Sequence, residues 1–186
     1  MRLFIAIEIP QEIRGAYSAL LKEFRGIAPQ VKWVRAENLH VTLKFLGETQ
    51  LDKLPELRNA LAEVRSPEPV QLEFRGLGFF PNEKRPRVFW GGMGASSNLQ
   101  SLAATIDQAA HRLGFPLEDR AFTPHLTLAR FQSPGIAPQL LEAIRVRNSH
   151  AFGSLTAASF HLIESKLKPA GAEYTTVQTV RFAPEA

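Results

Sequence analysis

Two tetrapeptides, His40-Val41-Thr42-Leu43 and His125-Leu126-Thr127-Leu128, stand 85 positions apart (from 40 to 125) in a chain of 186 residues. Each lies in a segment that alternates polar and apolar residues, the pattern of a half-buried strand. Residues 39–46 read LHVTLKFL. Strict alternation puts His40, Thr42 and Lys44 on one face and Leu39, Val41, Leu43 and Phe45 on the other. The strand from His125 to Phe131 alternates in the same way. Matched strands at nearly half the chain length predict two related lobes, each lending one strand to a shared cleft.

The rest of the chain supplies further strands and helices. Residues 2–8 (RLFIAIE) form an apolar run ended by Pro10, a strand signal. Ile13, Tyr17, Leu20, Leu21 and Phe24 recur at helical spacing, as do Leu54, Leu57, Leu61 and Val64, and Leu99, Leu102, Ile106 and Ala110. Val31–Val34 reads as a short strand and 139–145 as a short helix. Residues 70–80 and 87–93 read as strands joined by Pro81-Asn82-Glu83-Lys84-Arg85-Pro86, a hairpin with a basic tip. Residues 151–164 and 174–182 read as the last two strands. Mixed hairpins and helices predict an α+β fold of mainly antiparallel sheet rather than a doubly wound one. No linker or low-complexity stretch divides the chain, so 1–186 is expected to be one domain of two lobes.

The absence of cysteine removes disulfides, thiolate metal sites and a thiol nucleophile. Chemistry must come from His, Ser, Thr, Tyr, Lys or carboxylates. A formal charge of +4 permits a polyanionic partner without demanding one. The apolar run before Glu8 is too short for a signal peptide, and no 18 consecutive apolar residues occur. The expected location is the cytoplasm, with no membrane span.

Two His-Thr faces brought together offer two imidazoles and two hydroxyls around a small volume, an inventory that suits a phosphate. Near neutral pH one imidazole can activate a hydroxyl or water while the other protonates a leaving oxygen. The hydroxyls can donate to non-bridging oxygens. No metal is required, and no carboxylate is spaced with His40 or His125 as a metal set would need. Gly91-Gly92-Met93-Gly94 lacks the following Gly-Lys-Ser/Thr of a phosphate loop, so a strand end explains it. His111, His150 and His161 have no comparable context and read as structural. Arg130 could hold a phosphate or stack on a base. Strict parity puts it on the face opposite His125, so it needs twist, a bulge or the strand end to reach the cleft.

These residues resemble the two-histidine phosphoesterase superfamily, with its paired His-x-Thr-x motifs. They are most similar to its bacterial and archaeal RNA 2′,3′-cyclic phosphodiesterases, historically called 2′-5′ RNA ligases. The resemblance runs in order through Met1–Ala6, Trp33-Val34, Glu37–Glu48, Phe80-Pro81-Asn82, Pro86–Trp90 and Phe122–Arg130. It ends with Ser165-Lys166-Leu167, Gly171 and Tyr174. It implies a bilobal α+β fold with pseudo-twofold lobes, helices packed outside and a central active-site groove. It implies metal-independent hydrolysis of 2′,3′-cyclic phosphate ends to a 2′-phosphate, with reversible 2′-5′ ligation by the same site. His40 would be the proton donor, His125 the proton acceptor, and Thr42, Thr127 and Arg130 the phosphate-binding residues. The implied partners are RNA ends or cyclic nucleotides met by a monomer, with no cofactor. An RNA-end binding protein with incidental hydrolysis is the competing reading, and a metal-dependent phosphatase a third.

Overall fold

A computed structural model describes residues 1–169 and 171–182. In chain order the elements are β1 (Arg2–Glu8), α1 (Gln11–Ile27), β2 (Lys32–Trp33), β3 (His40–Glu48), α2 (Leu54–Ala62), β4 (Val70–Phe80) and β5 (Val88–Ala95). There follow α3 (Asn98–His111), β6 (Leu126–Arg130), α4 (Pro138–Val146), β7 (Ala151–Ala157), β8 (Ser159–Lys168) and β9 (Gly171–Arg181).

All the described strands join one antiparallel sheet in the order β7-β4-β5-β6-β3-β1-β8-β9, with β2 alongside β6. The order is symmetric about the β6–β3 seam. The run β1-α1-β3-α2 is matched by β5-α3-β6-α4, which is the pseudo-twofold repeat that the paired tetrapeptides announce. The two lobes are therefore halves of a continuous sheet. They meet where Val41 pairs with Leu126.

Helix packing follows the apolar stripes. Ile13, Tyr17, Leu20, Leu21 and Phe24 of α1 are buried against Leu3, Ile5 and Ile7 of β1, in the main core. Each such side chain contributes about 1.5–3 kcal/mol on burial. Phe4, Ala6 and Ile163 form a separate small cluster, set by alternation on the other face of the sheet. Gly91 lies inside β5, not at its end, because α1 crosses there: a Cβ would stand 2.6 Å from the Tyr17 hydroxyl.

Three departures from the expected pattern have physical causes. The segment 151–164 is not one strand, because the chain leaves β7 at Ala157 and re-enters the sheet as β8 at the opposite edge. Strict alternation fails in both central strands at the same place. Ile5 pairs with Lys44 but Ala6 with Thr42, leaving Leu43 as an extra residue. Phe89 pairs with Ala129 but Trp90 with Thr127, leaving Leu128 as the extra residue. Each bulge shifts side-chain parity by one position. Lys44 consequently turns inward to 4% exposure, while Phe45, expected in the core, is 59% exposed.

Candidate active site

The seam between β3 and β6 assembles the site. With Val41 opposite Leu126, antiparallel register sets Thr42 beside His125 and His40 beside Thr127. The second bulge resolves the parity of Arg130. It returns this side chain to the face of Thr127, and both line one groove with His40 and Thr42. That groove holds about 270 Å³, and its wall also includes Arg2, Phe4, Asn38, Phe45 and Tyr174. His125 is not part of this wall. Its ring packs edge-on against Phe80, 5.0 Å between centroids. Two broader depressions, of about 540 and 550 Å³, lie over α4 and over the β4–β7 edge, and neither contains a histidine.

The two imidazoles are held alike. His40 Nδ1 lies 2.7 Å from the Asn38 carbonyl, and His125 Nδ1 lies 2.8 Å from the Thr123 carbonyl. A carbonyl oxygen only accepts, so each Nδ1 carries a hydrogen and donates it. Each Nε2 is then the atom available to accept or deliver a proton. The two environments differ. His40 is packed by Phe4 at 4.6 Å and Tyr174 at 5.4 Å. Burial lowers its pKa to about 4, with the charges of His125 and Arg14 acting in the same direction and the Asn38 carbonyl opposing them. Burial raises the Tyr174 pKa, while the guanidinium groups of Arg130 and Arg2 lower it, so both cations act at the Tyr174 end of the groove.

This asymmetry has a stability consequence. The folded pKa of about 4 lies below the ordinary 6.5, so the native state favours neutral His40. Its stabilisation is present in full above pH 6.5 and is lost as the pH falls from 6.5 towards 4. The loss should reach at most about 3 kcal/mol. Urea titrations across this window should show a steeper decline for the wild type than for His40→Asn. Parallel curves would remove the burial argument.

Several groove residues were not legible as site residues. Arg2, Asn38, Phe45 and Tyr174 come from β1, a 3-10 turn, the far side of a bulge and β9. Of the basic residues at the hairpin tip and in the C-terminal third, Arg130 lines the groove, whereas Lys84 and Arg85 do not. His111 bonds the Phe115 carbonyl and His150 packs on Phe152. His161 bonds Thr179 and lies 3.9 Å from Glu8. Among the described residues, no three His, Asp or Glu side chains converge to hold a metal ion, and no helix is long and apolar enough to cross a membrane.

Residues 7–90 and 94–174 match the model of a family described as LigT like Phosphoesterase. An RNA 2′,3′-cyclic phosphodiesterase of Archaeoglobus fulgidus is 37% identical over 174 residues, covering 94% of this chain and 96% of that protein. One of the same name from Methanothermobacter thermautotrophicus is 33% identical over 183 residues, covering 98% and 99%. Among solved structures, a protein of Thermus thermophilus superposes with a TM-score of 0.77 at 32% identity, covering 98% of both chains. E. coli LigT complexed with 3′-AMP superposes at 0.76 with 28% identity, again over 98% of both.

Proposed function

We propose the following reaction for this protein, which belongs to the LigT-like phosphoesterase family. It is a hydrolase of the RNA 2′,3′-cyclic phosphodiesterase kind. Its two imidazoles work as an acid–base pair on the cyclic phosphate. His125 Nε2 takes a proton from water as the water oxygen bonds to phosphorus. The bond from phosphorus to the 3′ oxygen breaks, and His40 Nε2 delivers a proton to that oxygen. The product carries a 2′-phosphate. When a 5′-hydroxyl takes the place of water, the same transfers leave a 2′-5′ linkage.

The arrangement that carries this reading is the matched pair of Nδ1–carbonyl contacts on either side of the β3–β6 seam. Each contact leaves the Nε2 of its ring to exchange a proton, and the β3–β6 register sets the two rings at adjacent strands. Thr42 and Thr127 hold the non-bridging oxygens, and Arg130, joined by Arg2, balances the charge that builds on them. Phe45, exposed in the same groove wall, gives a nucleotide an aromatic surface.

His40 is neutral in the free protein at pH 7. A phosphate anion against it favours the imidazolium, so substrate binding loads the donor.

Product analysis tests the reaction directly. Incubation with a 2′,3′-cyclic nucleotide in excess chelator should give the 2′-phosphate at an undiminished rate. A 3′-phosphate would exchange the leaving oxygen, and loss of activity on chelation would replace the histidine pair with a metal mechanism.

A further inference from the structure

The two catalytic imidazoles share their carbonyl contact but differ in what holds the carbonyl. Thr123, which serves His125, bonds among the described residues only locally through its hydroxyl, to the Ala121 carbonyl at 3.4 Å. Asn38, which serves His40, sends its side-chain amide across the groove to the backbone carbonyl of Ala172, at 2.8 Å. Ala172 lies at the start of β9, two residues before Tyr174, whose ring stands against His40. The turn at 36–38 therefore does not sit freely between β2 and β3. It is fastened to the β8–β9 hairpin at the point from which that hairpin also packs the imidazole.

We propose that Asn38 is a positioning residue for proton transfer: its Nδ2–H to Ala172 O bond holds the carbonyl that fixes His40 as the Nδ1–H tautomer. The bond does not touch the substrate. It sets where the Asn38 carbonyl points, and the carbonyl decides which ring nitrogen is left to reach the leaving oxygen. The same bond makes the β8–β9 hairpin part of the acid's support, so that Tyr174 and His40 keep their mutual geometry. No counterpart exists for His125 among the described contacts, so the effect should be confined to one imidazole.

Asn38→Asp keeps the side-chain shape but cannot donate at neutral pH, and Asn38→Ala removes the group. Both keep the backbone carbonyl. Each should lower kcat for cyclic phosphate hydrolysis by about 10- to 100-fold, with KM within about twofold, since misplacement of one reacting group costs rates of that order. In ¹⁵N spectra of the imidazoles, His40 should acquire a population of the Nε2–H tautomer in both variants while His125 stays unchanged. Asn38→Gln, which still donates, should recover part of kcat and of the tautomer signal. Wild-type kcat in the folded variants, or a loss of kcat with the His40 tautomer unaltered, would overturn the proposal. Should the variants not fold, the wild-type spectrum still decides, because a His40 found mainly as the Nε2–H tautomer contradicts it. The inference rests on His40 as proton donor, and the two fail separately. His40→Ala with wild-type turnover would remove the donor, whereas a His40-dependent enzyme indifferent to Asn38 would remove only the tether.

Discussion

Replacing either His40 or His125 by alanine is expected to lower kcat for 2′,3′-cyclic phosphate hydrolysis by about three orders of magnitude, within the range for loss of a positioned acid or base. The two substitutions remove different proton transfers in one step, so the double variant should be little slower than the worse single one. RNA binding should be largely retained in both, because Arg2, Arg130, Phe45 and Tyr174 stay in the groove wall. The wild type should show a bell-shaped dependence of kcat on pH, and each variant should lose one limb. Near wild-type turnover in both single variants would refute the acid–base pair. It would also favour a protein that binds RNA ends and hydrolyses them incidentally.

The second large effect concerns stability. The inward-turned Lys44 pairs with Asp107 of α3 at 2.5 Å and donates to the Pro116 carbonyl at 2.8 Å. Asp107 in turn accepts from the Glu118 backbone N–H at 3.2 Å. One ammonium thus joins β3, α3 and the segment that leads on towards His125. Lys44→Met should destabilise the protein by about 3 kcal/mol, because it strands a carboxylate that has little water. The value lies at the low end for buried pairs, since the Asp107 side chain keeps 19% exposure. Adding Asp107→Leu should return much of the loss, as removal of both charges leaves neither unpaired. Urea midpoints with an unchanged slope would measure this. A single variant within about 1 kcal/mol of wild type would show that Lys44 is solvated in solution.

What the chain disclosed about itself follows from the range of its interactions. That His40, Thr42 and Thr127 face one groove was legible because strand parity is local and the tetrapeptide occurs twice. The symmetric sheet was legible for the same reason. Lys44 and Phe45 were misplaced because LHVTLKF alternates perfectly as text, while the fold inserts a bulge at Leu43. The cause is distant in sequence: Asp107 and the Pro116 carbonyl draw the ammonium inward, and Phe45 turns out as a result. Arg130 was ambiguous until the matching bulge at Leu128 was seen. Asn38 carried no signal of its own, since its partner is a backbone carbonyl 134 positions away. Tyr174 required knowing that β9 lies beyond β8 and β1 from β3.

On the proposed reaction, the paired bulges bear on the direction in which a phosphodiester can lie along the seam. Two imidazoles related by a half-turn would, alone, accept a phosphodiester equally well in either of two opposed orientations, and only one of these presents the 3′ oxygen to the donor. Just past each bulge the same structural position is filled by Phe45 in one lobe and by Arg130 in the other. An aromatic ring favours a base, and a guanidinium favours a phosphate. The duplicated scaffold therefore carries unlike groups at equivalent positions, and together with the unlike packing of the two imidazoles this makes the two orientations inequivalent.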